Sequence, residues 1–328
     1  MRRIVFLERQ TMGPSIECCG PDFAHVWTAY KTTRASQVVD RLADAEIAVV
    51  NKTRIGRAEL ERLPELRFIA IAATGHDNVD LQACEARGVT VSNVRDYAAS
   101  TVPEHVFALL LALSKNLVGY KEGVAAGTWQ GSGQFCYFDR DIRSLKGTRL
   151  AIFGGGTIGR AVAAIAAAFE MDVVFAARKG DASVPKAPYV SFDEALETAD
   201  VLTMHAPLTA ETRGLIGHDE FARMKRRPIV INCGRGGLID ETAAARALES
   251  ARISAIGVDV LSTEPPEPDN ALLKLAGRPD VIVTPHIAWA APEARREVWR
   301  QVIESIEAYA AGAPVRTLTG ALRDSAAS

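Results

Sequence analysis

An apolar run from Leu150 to Phe153 passes directly into Gly154-Gly155-Gly156-Thr157-Ile158-Gly159, and a helix-forming stretch, RAVAAIAAAFE, follows. No other feature of the 328 residues limits the fold as strongly. A G-x-G-x-x-G segment with a strand before it and a helix after it is the first turn of a βαβ unit in a parallel sheet. Gly154 makes the tight turn, Gly156 lets a pyrophosphate approach the backbone, and Gly159 lets helix and strand pack closely. The helix N-terminus adds free N–H groups and positive potential. The motif in this context implies a bound dinucleotide, with Gly154, Gly156, Thr157, Ile158 and Gly159 around it.

The next strand should end near an acidic residue that bonds the adenosine ribose. Here Asp172 to Ala176 leads into Ala177-Arg178-Lys179. Without the anion nothing repels a 2′-phosphate, and Arg178 can clasp one bidentately, with Lys179 beside it. The sequence therefore predicts NADP(H) as the preferred cofactor, with NAD(H) still possible. A merely solvated basic turn is the competing reading of Arg178 and Lys179.

Short apolar runs alternate with helical segments on both sides of the glycine loop. Ile4–Leu7, Ile47–Val50, Phe68–Ala73 and Val89–Ser92 read as strands, with helices over Ser36–Leu42, Arg57–Leu63 and Leu81–Arg87 between them. A second series starts at Leu150 and adds strands over Val173–Ala176, Val201–Met204, Ile229–Cys233, Ile256–Val260 and Val281–Thr284. Such alternation predicts an α/β chain with parallel sheets, and its length predicts about two domains. Between the series, Thr101 and Glu104 have capping-box spacing ahead of HVFALLLALSKNLVGY, a run apolar on nearly every face. It is expected as one helix buried on all sides, at a domain junction or subunit interface, with an ordinary core helix as the competing reading. A loop with Trp129, Phe135, Tyr137 and Phe138 is expected after it. Pro292–Ala311 reads as a last amphipathic helix, and Asp324–Ser328 as a frayed tail.

A net charge of −2 gives no global field for nucleic acid or an anionic membrane, and the longest apolar stretch, Val106–Leu113, is far short of a membrane span. The N-terminal apolar run is too short for a signal peptide. Five scattered cysteines form neither a C-x-x-C pair nor a zinc spacing. They read as reduced thiols of a cytoplasmic protein without a metal.

Three polar residues follow strands of the second series. Arg235 lies in Asn232-Cys-Gly-Arg-Gly-Gly, Glu264 follows Gly257-Val-Asp-Val260, and His286 stands in Thr-Pro-His-Ile-Ala-Trp. Ligands of open α/β sheets bind at the carboxyl ends of strands, so all three can reach one cleft. Arg235 can hold a carboxylate and polarise a keto oxygen. His286 can protonate that oxygen as hydride arrives, and Glu264 can orient the imidazole and favour its protonated form. Taken singly, each has an ordinary structural reading; together, after a dinucleotide loop, they fit reduction of a 2-keto acid. Asp259 completes the expected cofactor-binding set.

At these residues the chain resembles the D-isomer-specific 2-hydroxyacid dehydrogenase family. The resemblance extends to Ala73-Thr-Gly-His-Asp-Asn-Val-Asp80, Met204-His-Ala-Pro-Leu-Thr209, Asp259 to Pro265 and Thr284 to Ile287. FCYFDRDIRSLKG and HIAWAA are similar to the glycerate dehydrogenase/hydroxypyruvate reductase branch. The family implies two doubly wound parallel-sheet domains. A Rossmann cofactor domain (100–286) is inserted into a flavodoxin-like substrate domain (1–99 and 287–328). It implies an NAD(P)-dependent oxidoreductase acting on a small 2-keto or 2-hydroxy acid, a homodimer, and the roles argued for Arg235, Glu264 and His286. It also implies that Thr74 and Gly75 offer backbone N–H groups to the substrate carboxylate. His205 reads as structural or cofactor-lining, His76 as a candidate pocket residue, and His25, His105 and His218 as surface or packing residues. The family often carries an acidic residue where Ala177 stands, so its NADH is not simply carried over to this chain. Formate dehydrogenases typically have Gln at the place of Glu264, and phosphite dehydrogenases Lys at that of Thr74, which argues against both. A dinucleotide-sensing binding protein is the alternative, since the family also contains transcriptional corepressors.

Overall fold

The structure, a computed structural model, describes residues 1–139, 141–181, 183 and 186–319; the tail expected to fray lies outside them. The chain divides into two compact units, Met1–Tyr97 together with the chain from Ala290 on, and Ala98–Trp289.

The first unit runs β1 (Arg2–Phe6), β2 (His25–Ala29), α1 (Val38–Leu42), β3 (Ile47–Val50), α2 (Arg57–Glu61), β4 (Phe68–Ile71), α3 (Leu81–Ala86) and β5 (Thr90–Asn93). Its parallel sheet has the order β2-β1-β3-β4-β5, the flavodoxin-like arrangement. β3 and β4 are buried along their whole length, as unbroken apolar runs require in a sheet covered on both faces. β2 was not expected from the sequence. It is a half-exposed edge strand, HVWTA, without an apolar run to mark it.

The second unit runs α4 (Thr101–Ser114), α5 (Leu117–Ala125), α6 (Thr128–Ser132), β6 (Arg149–Phe153), α7 (Thr157–Ala168), β7 (Asp172–Ala176), β8 (Tyr189–Val190), α8 (Phe192–Thr198), β9 (Val201–Met204), α9 (His218–Arg223), β10 (Ile229–Asn232), α10 (Glu241–Glu249), β11 (Ala255–Val258) and β12 (Val281–Val283). Its sheet order is β12-β11-β10-β9-β6-β7-β8, parallel at every pairing. Strand order reverses between β6 and β9, which is where a doubly wound sheet opens a crevice. The last helix, α11 (Pro292–Ala310), returns to the first unit. There it stacks Tyr309 on Phe68 and Trp299 on Phe6, at centroid distances of 4.5 and 5.2 Å.

Two local expectations fail at α4. The Thr101–Glu104 capping box does not form. The cap is Ser100, already helical at φ −96° and ψ −48°, and the Thr101 hydroxyl is buried with no partner among the described residues. The apolar run is also two helices rather than one. Asn116 adopts a left-handed φ of 50° between α4 and α5, and α6, with Trp129, lies where a loop was expected. α4 packs across the sheet within its own unit: a Cβ on Gly257 of β11 would lie 3.2 Å from both Leu109 and Leu113.

Candidate active site

The glycine loop leaves β6 at the point where strand order reverses. A Cβ on Gly154, whose φ is +119°, would lie 2.5 Å from the His205 backbone, and one on Gly159 would lie 2.0 Å from the Gly154 carbonyl oxygen. His205 follows β9, and its N–H donates to Phe153 O at 2.7 Å. The strand, turn and helix are thereby locked together. On the open side of the loop a Cβ on Gly156 would meet nothing within 4 Å among the described residues, and none of their side chains caps the first turn of α7. First-turn backbone N–H groups are thus left without a side-chain partner, so the cradle fits a dinucleotide pyrophosphate.

At the end of β7, Ala177 is buried and hydrogen-bonded through its N–H to Val190 O at 2.9 Å. Arg178 is exposed and has no ion-pair partner among the described residues. Lys179 departs from expectation. Its Nζ lies 2.8 Å from Oε1 of Glu220, whose side chain is only 7% exposed, and 5.8 Å from the centroid of Phe192. A lysine held by a buried carboxylate is poorly placed to grip a phosphate as well.

Arg235, Glu264 and His286 follow β10, β11 and β12, three neighbours in the sheet. The loops are tied in pairs. Asp259 N donates to Asn232 O, and His286 N donates to Asp259 O, both at 2.9 Å. A Cβ on Gly236 would lie 1.9 Å from Leu261 O, so the Arg235 loop lies directly against the one leading to Glu264. Asn232 shapes the Arg235 turn. Its amide accepts from Gly234 N at 3.1 Å and donates to Arg235 O at 2.9 Å. The Arg235 guanidinium is half-buried and donates through Nη1 to Gly234 O at 2.8 Å.

Nδ1 of His286 lies 2.6 Å from Oε2 of Glu264. The other oxygen of Glu264 accepts from Leu261 N at 3.0 Å, which anchors the carboxylate in its own loop. His286 has a left-handed φ of 56°. For a residue with a Cβ this costs about 1–2 kcal/mol, and such strain persists only where surrounding contacts hold it. Asp259 supplies those contacts. Its side chain is 1% exposed. Oδ1 accepts from Thr284 Oγ1 at 2.5 Å and Ile287 N at 2.8 Å, while Oδ2 accepts from Ala288 N at 2.8 Å. The residue expected at the cofactor is thus engaged by the turn that carries His286. His105, read from sequence as surface or packing, also belongs here: its Nε2 is 3.0 Å from Thr284 Oγ1.

The expected substrate loop lies in the first unit, after β4. Thr74 is exposed, but its hydroxyl donates to Val94 O at 2.9 Å, and its carbonyl accepts from Asn93 Nδ2 at 2.8 Å. His76 is exposed in the same loop. In that unit Glu8 is buried at the end of β1, and its carboxylate accepts from Asn51 N at 2.8 Å and Lys52 N at 3.1 Å. In His205, Nε2 meets Thr203 Oγ1 at 2.9 Å, Nδ1 is buried with no partner among the described residues, and desolvation depresses the pKa from 6.5 to about 4. Cys233, beside Arg235, is buried, which pushes its thiol well above the usual range and leaves it inert as a nucleophile. Among the described residues no group of three or more His, Cys, Asp or Glu is arranged to hold a metal, and no helix is long and apolar enough to cross a membrane.

Residues 107–288 match the model of the D-isomer specific 2-hydroxyacid dehydrogenase NAD binding domain. The chain is 40% identical over 314 residues to a glycerate dehydrogenase of Methylorubrum extorquens, covering 95% of this chain and 98% of that protein. It is 35% identical over 295 residues to a hydroxypyruvate reductase of Blautia hydrogenotrophica, covering 89% and 91%. Among solved structures, an acyclic imino acid reductase in complex with NADPH and D-Arg superimposes with a TM-score of 0.80 at 25% identity, over 96% of this chain and 99% of that one. The chain belongs to the D-isomer specific 2-hydroxyacid dehydrogenase family, and its second unit contains a domain that binds a nicotinamide dinucleotide.

Proposed function

We propose that the chain reduces a small 2-keto acid, of the hydroxypyruvate or glyoxylate type, to the D-2-hydroxy acid. The observation that carries this reading is the 2.6 Å contact between His286 and Glu264 at the end of adjacent strands, with Arg235 following the next strand. Arg235 anchors the substrate carboxylate and polarises the keto oxygen. With Nδ1 facing Glu264, the imidazole keeps its transferable proton on Nε2. His286 gives that proton to the keto oxygen as the carbonyl carbon is reduced, and then regains one from solvent. The bound reduced nicotinamide supplies the hydride. Glu264 fixes the ring and offsets the positive charge on the protonated imidazole.

Gly154, Gly156, Thr157, Ile158 and Gly159 cradle the pyrophosphate, and Asp259 acts from beneath the site by holding the His286 turn. NADPH is the preferred cofactor in this reading, because Ala177 presents no anion and Arg178 is exposed. Lys179 contributes little, being paired with Glu220. The names of the Methylorubrum and Blautia relatives support the substrate class. The test is a panel of glyoxylate, hydroxypyruvate and pyruvate with NADPH and with NADH. Turnover of at least one of the first two acids is expected, faster with NADPH. Tight dinucleotide binding without turnover of any acid would favour a sensing protein instead.

A further inference from the structure

A carboxylate with 1% exposure is tolerated only when its oxygens are hydrogen-bonded. Those of Asp259 accept from Thr284 Oγ1, Ile287 N and Ala288 N. A hydroxyl has one proton. Thr284 gives its proton to Asp259 at 2.5 Å, so its oxygen can only accept from its other neighbour, Nε2 of His105 at 3.0 Å. His105 is therefore a donor through Nε2, and that atom also lies 3.6 Å from Asp259 Oδ1. His105 sits in the second turn of α4, a 14-residue helix with most of its side chains buried. The segment from Thr284 to Ala288 has no regular structure and contains the left-handed His286.

We infer that His105 is a positioning residue: from the rigid α4 it acts through Thr284 and Asp259 to hold the turn that presents His286. Its effect on catalysis rests on the reading of His286 as proton donor; its effect on the turn does not. The relay joins residues far apart in sequence but within one unit, and each bond in it has the donor and acceptor that the next bond requires.

The experiment is hydrogen exchange of the full chain at the amides of Ile287 and Ala288, with steady-state kinetics on the same proteins. His105→Leu removes the donor. Exchange at these two amides should rise by roughly five- to tenfold, the size of one lost hydrogen bond, while Val230 and Ile256 in the sheet stay unchanged. kcat for keto-acid reduction should fall by a similar factor with the KM for the dinucleotide little altered. His105→Gln, whose amide can still donate, should restore most of both. If His105→Leu does not fold, Thr284→Val removes the relay hydroxyl in a similar shape and carries the same test. Unchanged exchange at Ile287 and Ala288 in a folded variant would overturn the inference whatever the kinetics. Raised exchange with unchanged kcat would support the tie and count against His286 as the acid.

Discussion

The imidazole of His286 is held through Nδ1 by Oε2 of Glu264 at 2.6 Å, and the second oxygen of that carboxylate is fixed by Leu261 N. One half of the pair thus rides on a strained turn and the other on a loop pinned at its own backbone. Glu264→Gln keeps a hydrogen-bonding side chain of the same length and removes the charge. The amide can still accept from Nδ1 but no longer offsets the charge on the ring. kcat for keto-acid reduction should therefore fall by roughly tenfold or more, the worth of a hydrogen bond to a charged group, with the KM for the dinucleotide little changed. A kcat equal to that of the wild type would contradict the pairing.

Arg235→Lys tests the anchoring group. Lysine keeps the charge but not the planar fork, and a bidentate site does not tolerate the exchange. KM for the keto acid should rise by roughly 10-fold or more, the worth of a hydrogen bond to a charged group. kcat should fall as well if the fork also polarises the carbonyl. Kinetics close to wild type would place the guanidinium away from the substrate.

Much of this site was legible because its residues sit in short segments with a fixed relation to a strand. Gly154 to Gly159 announce their turn by their spacing between an apolar run and a helix-forming stretch, and Arg235, Glu264 and His286 each follow a short apolar run that reads as a buried strand. The parallel pairing followed from the same alternation, whereas the flavodoxin-like and Rossmann arrangements followed from the family resemblance. The residues that hold the site were harder to see. Nothing near His105 in the sequence marks it as a partner of Thr284, because the bond is made by packing α4 over β11 and β12. Asp259 lies within a recognisable motif, yet its burial and three hydrogen bonds depend on a turn that follows the next strand. The same reason explains Lys179: its carboxylate partner, Glu220, comes from α9. The break at Asn116 was hidden by apolar residues on both sides.

Cofactor choice separates Arg178 from Lys179. The wild type should show higher kcat/KM with NADPH than with NADH. Charge-assisted bonds to a phosphate are worth about 1.5–3 kcal/mol, or roughly 10- to 150-fold. The double change Ala177→Asp with Arg178→Ala should reverse the preference. Lys179→Met should leave it within about twofold, since the ammonium is already engaged by Glu220 and its remaining share of a phosphate contact is small. A preference for NADH in the wild type would return Arg178 to the role of a solvated turn residue.

The chain's stability should carry the signature of His205. Desolvation lets the folded protein protonate this ring only near pH 4, while the unfolded chain does so near 6.5. Between these values unfolding takes up a proton, so stability is complete above about pH 6.5 and falls as pH drops toward 4. At pH 5 the loss from this one ring is about 2 kcal/mol. His205→Gln retains a partner for Thr203 but does not titrate. Denaturant unfolding at pH 7 and pH 5 should therefore show a smaller acid loss in the variant. Equal losses in the two proteins would mean that this ring takes up its proton as readily folded as unfolded.

The most direct test of the account is kcat for hydroxypyruvate or glyoxylate reduction by His286→Ala, measured beside dinucleotide affinity from fluorescence titration. Removing a general acid lowers kcat by roughly 10²–10⁴. In His286→Ala a loss of that size is expected with the affinity for NADPH little changed, because the cradle at Gly154–Gly159 is untouched. A variant that keeps more than about half of the wild-type kcat, where a general acid is worth at least roughly a hundredfold, would show that His286 is not the proton donor.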